Sequence, residues 1–273
     1  MNASLHLENS RMHRAIKKSL WLTVSLTVVL ALLMAGPAYM LASQRVALGG
    51  AWSQADRSSV GVAPAPSTHP EALVQLYAAR AFDWRGAFGV HTWIATKPAG
   101  ATHYQVHQVL GWRRPTVSSR PDAPDRAWYG SAPTLLTELR GKAAERAIPE
   151  IREAVAAYPV TDRYRVWPGP NSNTFVAWVV RRVPGVRVDF PPTAVGKDYL
   201  LDTIVAEAPS GTGYQVSLGG VLGLTVAYDE GIEWQLMGLT LGIDLTRPAL
   251  KLPGIGRLGM SSSERTQGSG EAE

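Results

Sequence analysis

The apolar positions of this chain fall into two regimes. From Leu20 to Ala42 it reads LWLTVSLTVVLALLMAGPAYMLA, a run without a charged residue. That is long enough to supply the roughly 20 residues a helix needs to cross about 30 Å of hydrocarbon. Thr23, Ser25 and Thr27 can bond their own helix backbone, and Gly36-Pro37 lies near the far end, where a kink is tolerated. A cleaved signal peptide is the alternative, because a basic head precedes the run and small residues lie near Ala42. The run exceeds the roughly 7 to 15 apolar residues of a secretory core, which favours one transmembrane helix over 20–42. After it, 43–70 carries Gly49-Gly50, Ser58-Ser59 and the sequence APAPS from Ala63, and reads as a flexible linker.

The folded domain is expected over 71–260. A helix-like ALVQLYAAR opens it, strands follow at Val90–Thr96 and Tyr104–Leu110, and Arg113–Pro133 reads as a long loop. Pro133 introduces a helical stretch through Tyr158, which Gly141 and Pro149 divide in two. The segment WPGPNSNTF, Trp167–Phe175, follows. Phe175, Trp178, Val179 and Arg182 recur at helical spacing, so a helix starts here, capped by Asn171 or Asn173, and ends at Pro184-Gly185. Tyr214–Leu218, Val221–Tyr228 and Glu233–Gly242 read as strands, and the order strands, helices, strands predicts an α+β domain with an antiparallel sheet. Gly219, Gly220 and Gly223 form neither a second span nor a phosphate loop and fit a tightly packed sheet. Lys251–Gly259, KLPGIGRLG, is turn-rich, and 261–273 reads as a disordered tail.

Charge adds orientation. The formal net charge is +5, and the tail 1–19 holds Arg11, Arg14, Lys17 and Lys18 against the single acid Glu8. This places the N-terminus on the cytoplasmic side of the inner membrane and the domain outside, in the periplasm. No basic run with interleaved aromatics occurs between 103 and 260, which argues against a nucleic-acid partner. The chain has no cysteine, so disulfides and thiolate zinc sites are excluded and any nucleophile is an oxygen. Ser172 falls at the mouth of the predicted helix, where the dipole and free N–H groups stabilise negative charge.

If HYQVHQV is a strand, His103, Gln105 and His107 share one face and line a polar cleft, while Tyr104, Val106 and Gln108 share the other. Four strand residues separate His103 from His107 by about 13 Å, too far for one ion, so no metal and no cofactor is expected, although a helical segment would bring the two together as an HxxxH zinc pair. Trp84, Trp93, Trp112, Trp128, Trp167, Trp178 and Trp234 suggest either a lipid or carbohydrate surface or, as the commoner use, buried core aromatics.

The order of His91, then His103, then Asn171-Ser172-Asn173-Thr174-Phe175 at a helix start resembles the circularly permuted branch of the papain-like NlpC superfamily, which includes lecithin retinol acyltransferase-like proteins. The resemblance implies His91 as base, His103 as its orienting partner, Asn171 and Phe175 as flanking positions, and Ser172 where that family carries its cysteine nucleophile. Asn171, Asn173 and Gln105 would support the cleft or the oxyanion. A hydroxyl in place of a thiol must lose its proton as it attacks, which demands a well-aligned imidazole. The stretch 71–259, with HTWI, WPGPNSNTF and KLPGIGRLG, also resembles a bacterial family of uncharacterised membrane-anchored proteins. The functional expectation is a single-pass envelope protein with a non-catalytic or ligand-binding papain-like domain, its partners the membrane and a lipid or peptidoglycan ligand. The alternatives are a serine-dependent hydrolase or acyltransferase and a purely structural domain.

Overall fold

The computed structural model describes residues 2–260, with side chains from residue 12 onward, so the tail expected at 261–273 lies outside the described residues. Helix α1 runs over Asn2–Ala42, and its Met12–Ala42 portion is long and apolar enough to cross a membrane. Within it Thr23 Oγ1 donates to Ser19 O at 3.0 Å and Thr27 Oγ1 to Thr23 O at 2.9 Å, so hydroxyls inside the apolar run are satisfied by their own helix.

The domain is α+β, with two antiparallel sheets. The first contains β1 (Leu73–Arg80), β2 (Val90–Lys97), β3 (Gln105–Val109), β4 (Val117–Pro121) and β5 (Thr134–Arg140), in the spatial order β4-β3-β2-β1-β5. Four expectations change here. ALVQLYAAR is not a helix but the inner strand β1, buried along nearly its whole length. Even-numbered Val74 and Leu76 join one core cluster while odd-numbered Leu73, Tyr77 and Ala79 join another, so both faces are covered and the apolar–polar alternation that would identify a strand is lost. Likewise TLLTELR forms β5 rather than helix. Gly141, at φ +54°, turns the chain into α2 (Gly141–Ala156), which continues through Pro149 without dividing. The stretch 113–133 is not all loop, since it contributes β4.

Helices α2 and α3 (Ser172–Val180) cover one face of this sheet, where Ile148, Ile151, Phe175 and Val179 pack on Val74, Leu76, Ile94 and Val109. An aromatic layer covers the other face: Tyr77, Trp93 and Tyr104, with Trp128 against them. The segment expected as a flexible linker lies along this second face. The Asp125 carboxylate accepts from Ser59 Oγ at 2.6 Å and from the Val62 and Ala63 N–H groups at 2.7 and 3.1 Å, and Tyr104 Oη donates to Pro64 O at 2.8 Å.

The second sheet is a seven-stranded meander of β6 (Val205–Glu207), β7 (Gly213–Leu218), β8 (Leu222–Ala227), β9 (Gly231–Leu236), β10 (Leu239–Asp244), β11 (Ala249–Leu252) and β12 (Gly256–Gly259), each paired with the next. Gly219 and Gly220, at φ +59° and +71°, are the central residues of the turn between β7 and β8, which the Val221 N–H closes on Leu218 O at 3.1 Å. Met237 and Gly238, at φ +52° and +72°, split the expected strand 233–242 into β9 and β10.

This sheet is polar inside. Its buried face carries Gln215, Thr225, Glu233, Gln235, Thr240 and Lys251, and its apolar residues point outward. Glu233, fully buried, bridges Lys197 Nζ and Lys251 Nζ, both at 2.7 Å; Lys197 also meets Asp198 at 2.9 Å and Lys251 meets Asp189 at 2.6 Å. Burial alone would raise the Glu233 carboxyl, but the two ammonium groups outweigh it and hold it below its usual range.

The hairpin between β11 and β12 gives KLPGIGRLG its place. It sits against α1 so closely that a Cβ on Gly36 would lie 2.0 Å from Pro253 O, and one on Gly254 would lie 2.6 Å from Pro37 N. Arg80, from the end of β1, donates to Gly254 O at 2.6 Å and Ile255 O at 3.1 Å, joining the first sheet to the same hairpin.

Removing the Glu233 charge takes one of its two carboxylate partners from each of two buried ammonium groups. Glu233→Gln is expected to destabilise the domain by about 3–5 kcal/mol, as denaturant unfolding would measure; a loss under 1 kcal/mol would mean the lysines are already solvated.

Candidate functional site

The start of α3 is fixed from three directions. Asn171 caps it: its Oδ1 accepts from Asn173 N at 2.9 Å and Thr174 N at 3.1 Å, while Thr174 Oγ1 accepts from Asn171 N at 3.1 Å. The Asn171 amide nitrogen donates to Val166 O and Val195 O at 3.0 and 2.9 Å. Gly196, at φ +96°, is required beside it, since a Cβ there would come within 2.4 Å of that nitrogen. Asn173 pins the helix to β2. Its Nδ2 donates to Val90 O at 3.0 Å and Val195 O at 2.8 Å, and its Oδ1 accepts from Thr92 Oγ1 at 2.9 Å. Both asparagines are committed to holding the helix. Since Asn171 Oδ1 takes the N–H groups of residues 173 and 174, the first turn has few donors left for an anion.

Ser172 is buried between them, with the Tyr164 phenol against its side chain and backbone. Burial pushes the Tyr164 hydroxyl up from its ordinary range, and the contact with Ser172 works against that shift. His91 lies between the two pinned residues, Val90 and Thr92, at the start of β2, yet its ring is on the other side of the sheet. Thr92 reaches α3, so His91 and Trp93 face the aromatic layer. The ring stacks on Trp128 with centroids 3.6 Å apart and planes 8° apart, and its Nε2 pairs with Gln108 Oε1 at 3.0 Å. With the amide oriented this way the imidazole donates from Nε2, leaving Nδ1 as the basic nitrogen. Burial pushes the His91 pKa down to about 4, partly opposed by the bond to Gln108, so the ring is neutral at pH 7. Among the described residues no hydrogen bond joins His91 to Ser172.

These groups meet at a cavity of about 800 Å³ at the end of the first sheet. Its walls are mainly aromatic, including Trp52, Trp84, Phe88, Trp112, Trp128 and Trp167. His91, Tyr164, Ser172 and the two asparagines supply polar atoms at its margin. Of the tryptophans read as core, only Trp93 and Trp178 are buried; Trp84, Trp112, Trp128 and Trp167 line the cavity.

The other expected site residues lie elsewhere. His103 is exposed on the turn before β3, beside Thr102, and Gln105 lies on the face of β3 that looks toward the helices; neither lines the cavity. The orienting position beside His91 is occupied by Gln108. The register Ala95↔Val106 puts Gln108 on the His91 side and His107 on the other, where His107 bonds Thr96 and Ser119 at 3.1 and 2.8 Å. Period-two spacing separated the two sets, but only the strand register tells which set meets His91. Nothing in the sequence marked Tyr164. Among the described residues no three His, Asp or Glu side chains converge as metal ligands would.

Residues 71–199, from just before β1 to beyond α3, match the model of a family described as a protein of unknown function (DUF3750). The match takes in the whole first sheet and every polar residue of the cavity margin, and it stops short of β6. No curated protein and no solved structure gives a match to the chain.

Two measurements check this geometry. Asn173→Ala takes the acceptor from the Thr92 hydroxyl and a donor from Val90 O, while Val195 O keeps the Asn171 amide, and is expected to cost about 2–3 kcal/mol in thermal or denaturant unfolding. Second, His91 and His107 both have folded pKa values near 4 against an ordinary 6.5. Their neutral forms stabilise the fold fully above pH 6.5, and this contribution is lost as the pH falls toward 4. His91→Gln should therefore show a shallower fall in Tm between pH 6.5 and 4 than the wild type; an unchanged slope would mean that the ring titrates normally.

Proposed function

We propose that this is a single-pass membrane protein whose extracytoplasmic domain binds an apolar ligand, a lipid chain, in the aromatic cavity. The observation that carries this reading is the position of the cavity. Trp84, Arg85 and Phe88 in its wall belong to the short 3₁₀ turn Asp83–Ala87 and the residue after it. The other side of this turn packs on the end of α1, where Met40, Leu41 and Val46 cluster with Ala87 and Phe88. A lipid leaving the bilayer beside α1 thus meets a wall shared with the cavity. The chemistry of the lining agrees: large aromatic surfaces with few polar atoms suit an acyl or isoprenoid chain, whereas a peptidoglycan fragment needs many convergent donors and acceptors. The His91–Gln108 pair and Tyr164 at the margin would orient a polar headgroup.

A second reading, a papain-like serine hydrolase or acyltransferase, draws on the presence of Ser172 and His91 at one cavity. It requires the His91 ring to leave the Trp128 stack and turn past the end of β2, and it requires Ser172 to exchange Tyr164 for an imidazole. The binding reading requires neither change.

Full-length protein purified in mild detergent is expected to carry lipid that native mass spectrometry detects, and to bind a fluorescent acyl probe. Trp112→Ala with Trp128→Ala should weaken the probe at least tenfold, whereas Ser172→Ala should change it less than threefold. Absence of both lipid and probe binding would overturn the proposal. Labelling by a fluorophosphonate that Ser172→Ala abolishes would establish the hydrolase reading instead.

A further inference from the structure

The outer face of the second sheet is apolar from β7 to β12. In register, Tyr214, Val226, Ile232, Ile243, Leu250 and Leu258 form one continuous row over β7 to β12. Val216, Leu224, Trp234 and Leu241 form the next, and Leu218, Leu222, Leu236 and Leu239 a third. Leu224, Val226 and Leu250 are 40%, 52% and 50% exposed, which is unusual for residues in the middle of a paired sheet. Six strands at about 4.8 Å by about 20 Å of strand length is roughly 500 Å² of plane, above the few hundred Å² that a monomer leaves in water without purpose. The sheet cannot hide this face by turning over, because its inner face is tied down by the ion pairs of Glu233, Lys251 and Lys197.

We propose that this face lies on the membrane, with the acyl chains and glycerol region of the leaflet on the domain's side as its occupant. The argument is continuity with α1. Leu33, Gly36, Pro37 and Met40, on one side of that helix, are buried by the domain, and the β11–β12 hairpin supplies the close contact at Gly36 and Pro37. Residues 20 to 36 of an α-helix already span about 25 Å, most of a hydrocarbon core. A hairpin clamped to residues 36 and 37 therefore sits at the far edge of that core, and the sheet it belongs to begins there. The strands have 3 to 6 residues, too short to cross a bilayer, so the sheet rests at the interface rather than spanning. Tyr214, Tyr228 and Trp234, exposed on or beside this face, are the residue types that settle at headgroup depth. This contact goes beyond the ligand cavity and does not depend on what fills it.

The chain has no cysteine, so single cysteines can carry nitroxide labels without background. Leu224→Cys, Leu250→Cys, Val28→Cys on exposed α1 and Glu150→Cys on exposed α2 would be placed in full-length protein in nanodiscs of phosphatidylethanolamine and phosphatidylglycerol. Collision with oxygen, which partitions into lipid, is compared with collision with a water-soluble nickel chelate. At positions 224 and 250 the oxygen-to-chelate ratio is expected to exceed that at 150 at least fivefold and to approach that at 28. A ratio equal to that at 150 would overturn the proposal. So would protection from both reagents with spin–spin broadening, which would assign the face to a second copy. If position 28 were chelate-accessible while 224 and 250 remained in lipid, the anchor would fail and the sheet's contact would stand.

Discussion

A buried carboxylate shared by two ammonium groups sets the orientation of half the domain. Glu233 on β9 reaches Lys251 on β11 and Lys197 in the segment that covers the sheet. Asp189 and Asp198 add a second carboxylate to each lysine at 2.6 and 2.9 Å, and Arg247 and Arg257, which also pair with Asp244, reach Asp189 at 3.6 and 3.5 Å, so that four acids meet four bases. Taking such groups out of water costs several kcal/mol per ion unless every one finds its partner. The array therefore tolerates a single arrangement, in which alternate residues of β7 to β11 point inward as polar side chains. Because strand side chains alternate, the aliphatic residues between them have no choice but to face out. The apolar outer surface is thus a consequence of the ionic inner one.

The first sheet solves the opposite problem. There both faces are apolar, and the few polar groups act as fasteners. Asn173 bonds to β2 on either side of residue 91, and Asn171 ties the same helix turn to the segment around Val195. These bonds define the wall of the cavity at Ser172 while drawing the helix onto the Thr92 side of the sheet. His91 consequently belongs to a different layer, stacked on Trp128 and neutral. A ring so enclosed suits fixing a hydrogen bond in a dry pocket better than shuttling protons.

Much of this was legible in the residues. The long apolar helix, the capped helix at Asn171, the strands at 90–96 and 104–110 and most of the C-terminal strands followed from periodicity and turn chemistry. Where the reading failed, the cause was tertiary. β1 is covered on two sides and so has no alternation to detect, and β5 carries leucines and a glutamate at spacings a helix would also accept. His103 lost its place to Gln108 because alternation divides a strand into two sets without saying which one meets a neighbour. For the second sheet the alternation in GYQVSL and GIEWQL is plain, but a convention that puts apolar residues inside would orient it backwards; only the pairing of Lys197 and Lys251 with Glu233 decides the matter.

The contact between Gly36 and the β11–β12 hairpin changes how the domain can work. A globule on a loose leash samples a hemisphere of solution whose radius grows with the leash. Here the end of α1 is gripped by a hairpin from the opposite end of the chain, and the stretch after it is bonded down to Asp125. If the sheet rests on the leaflet as proposed, the search volume shrinks to the thickness of the lipid surface, and the protein would find its target by lateral diffusion in two dimensions, blind to anything a few nanometres above the bilayer.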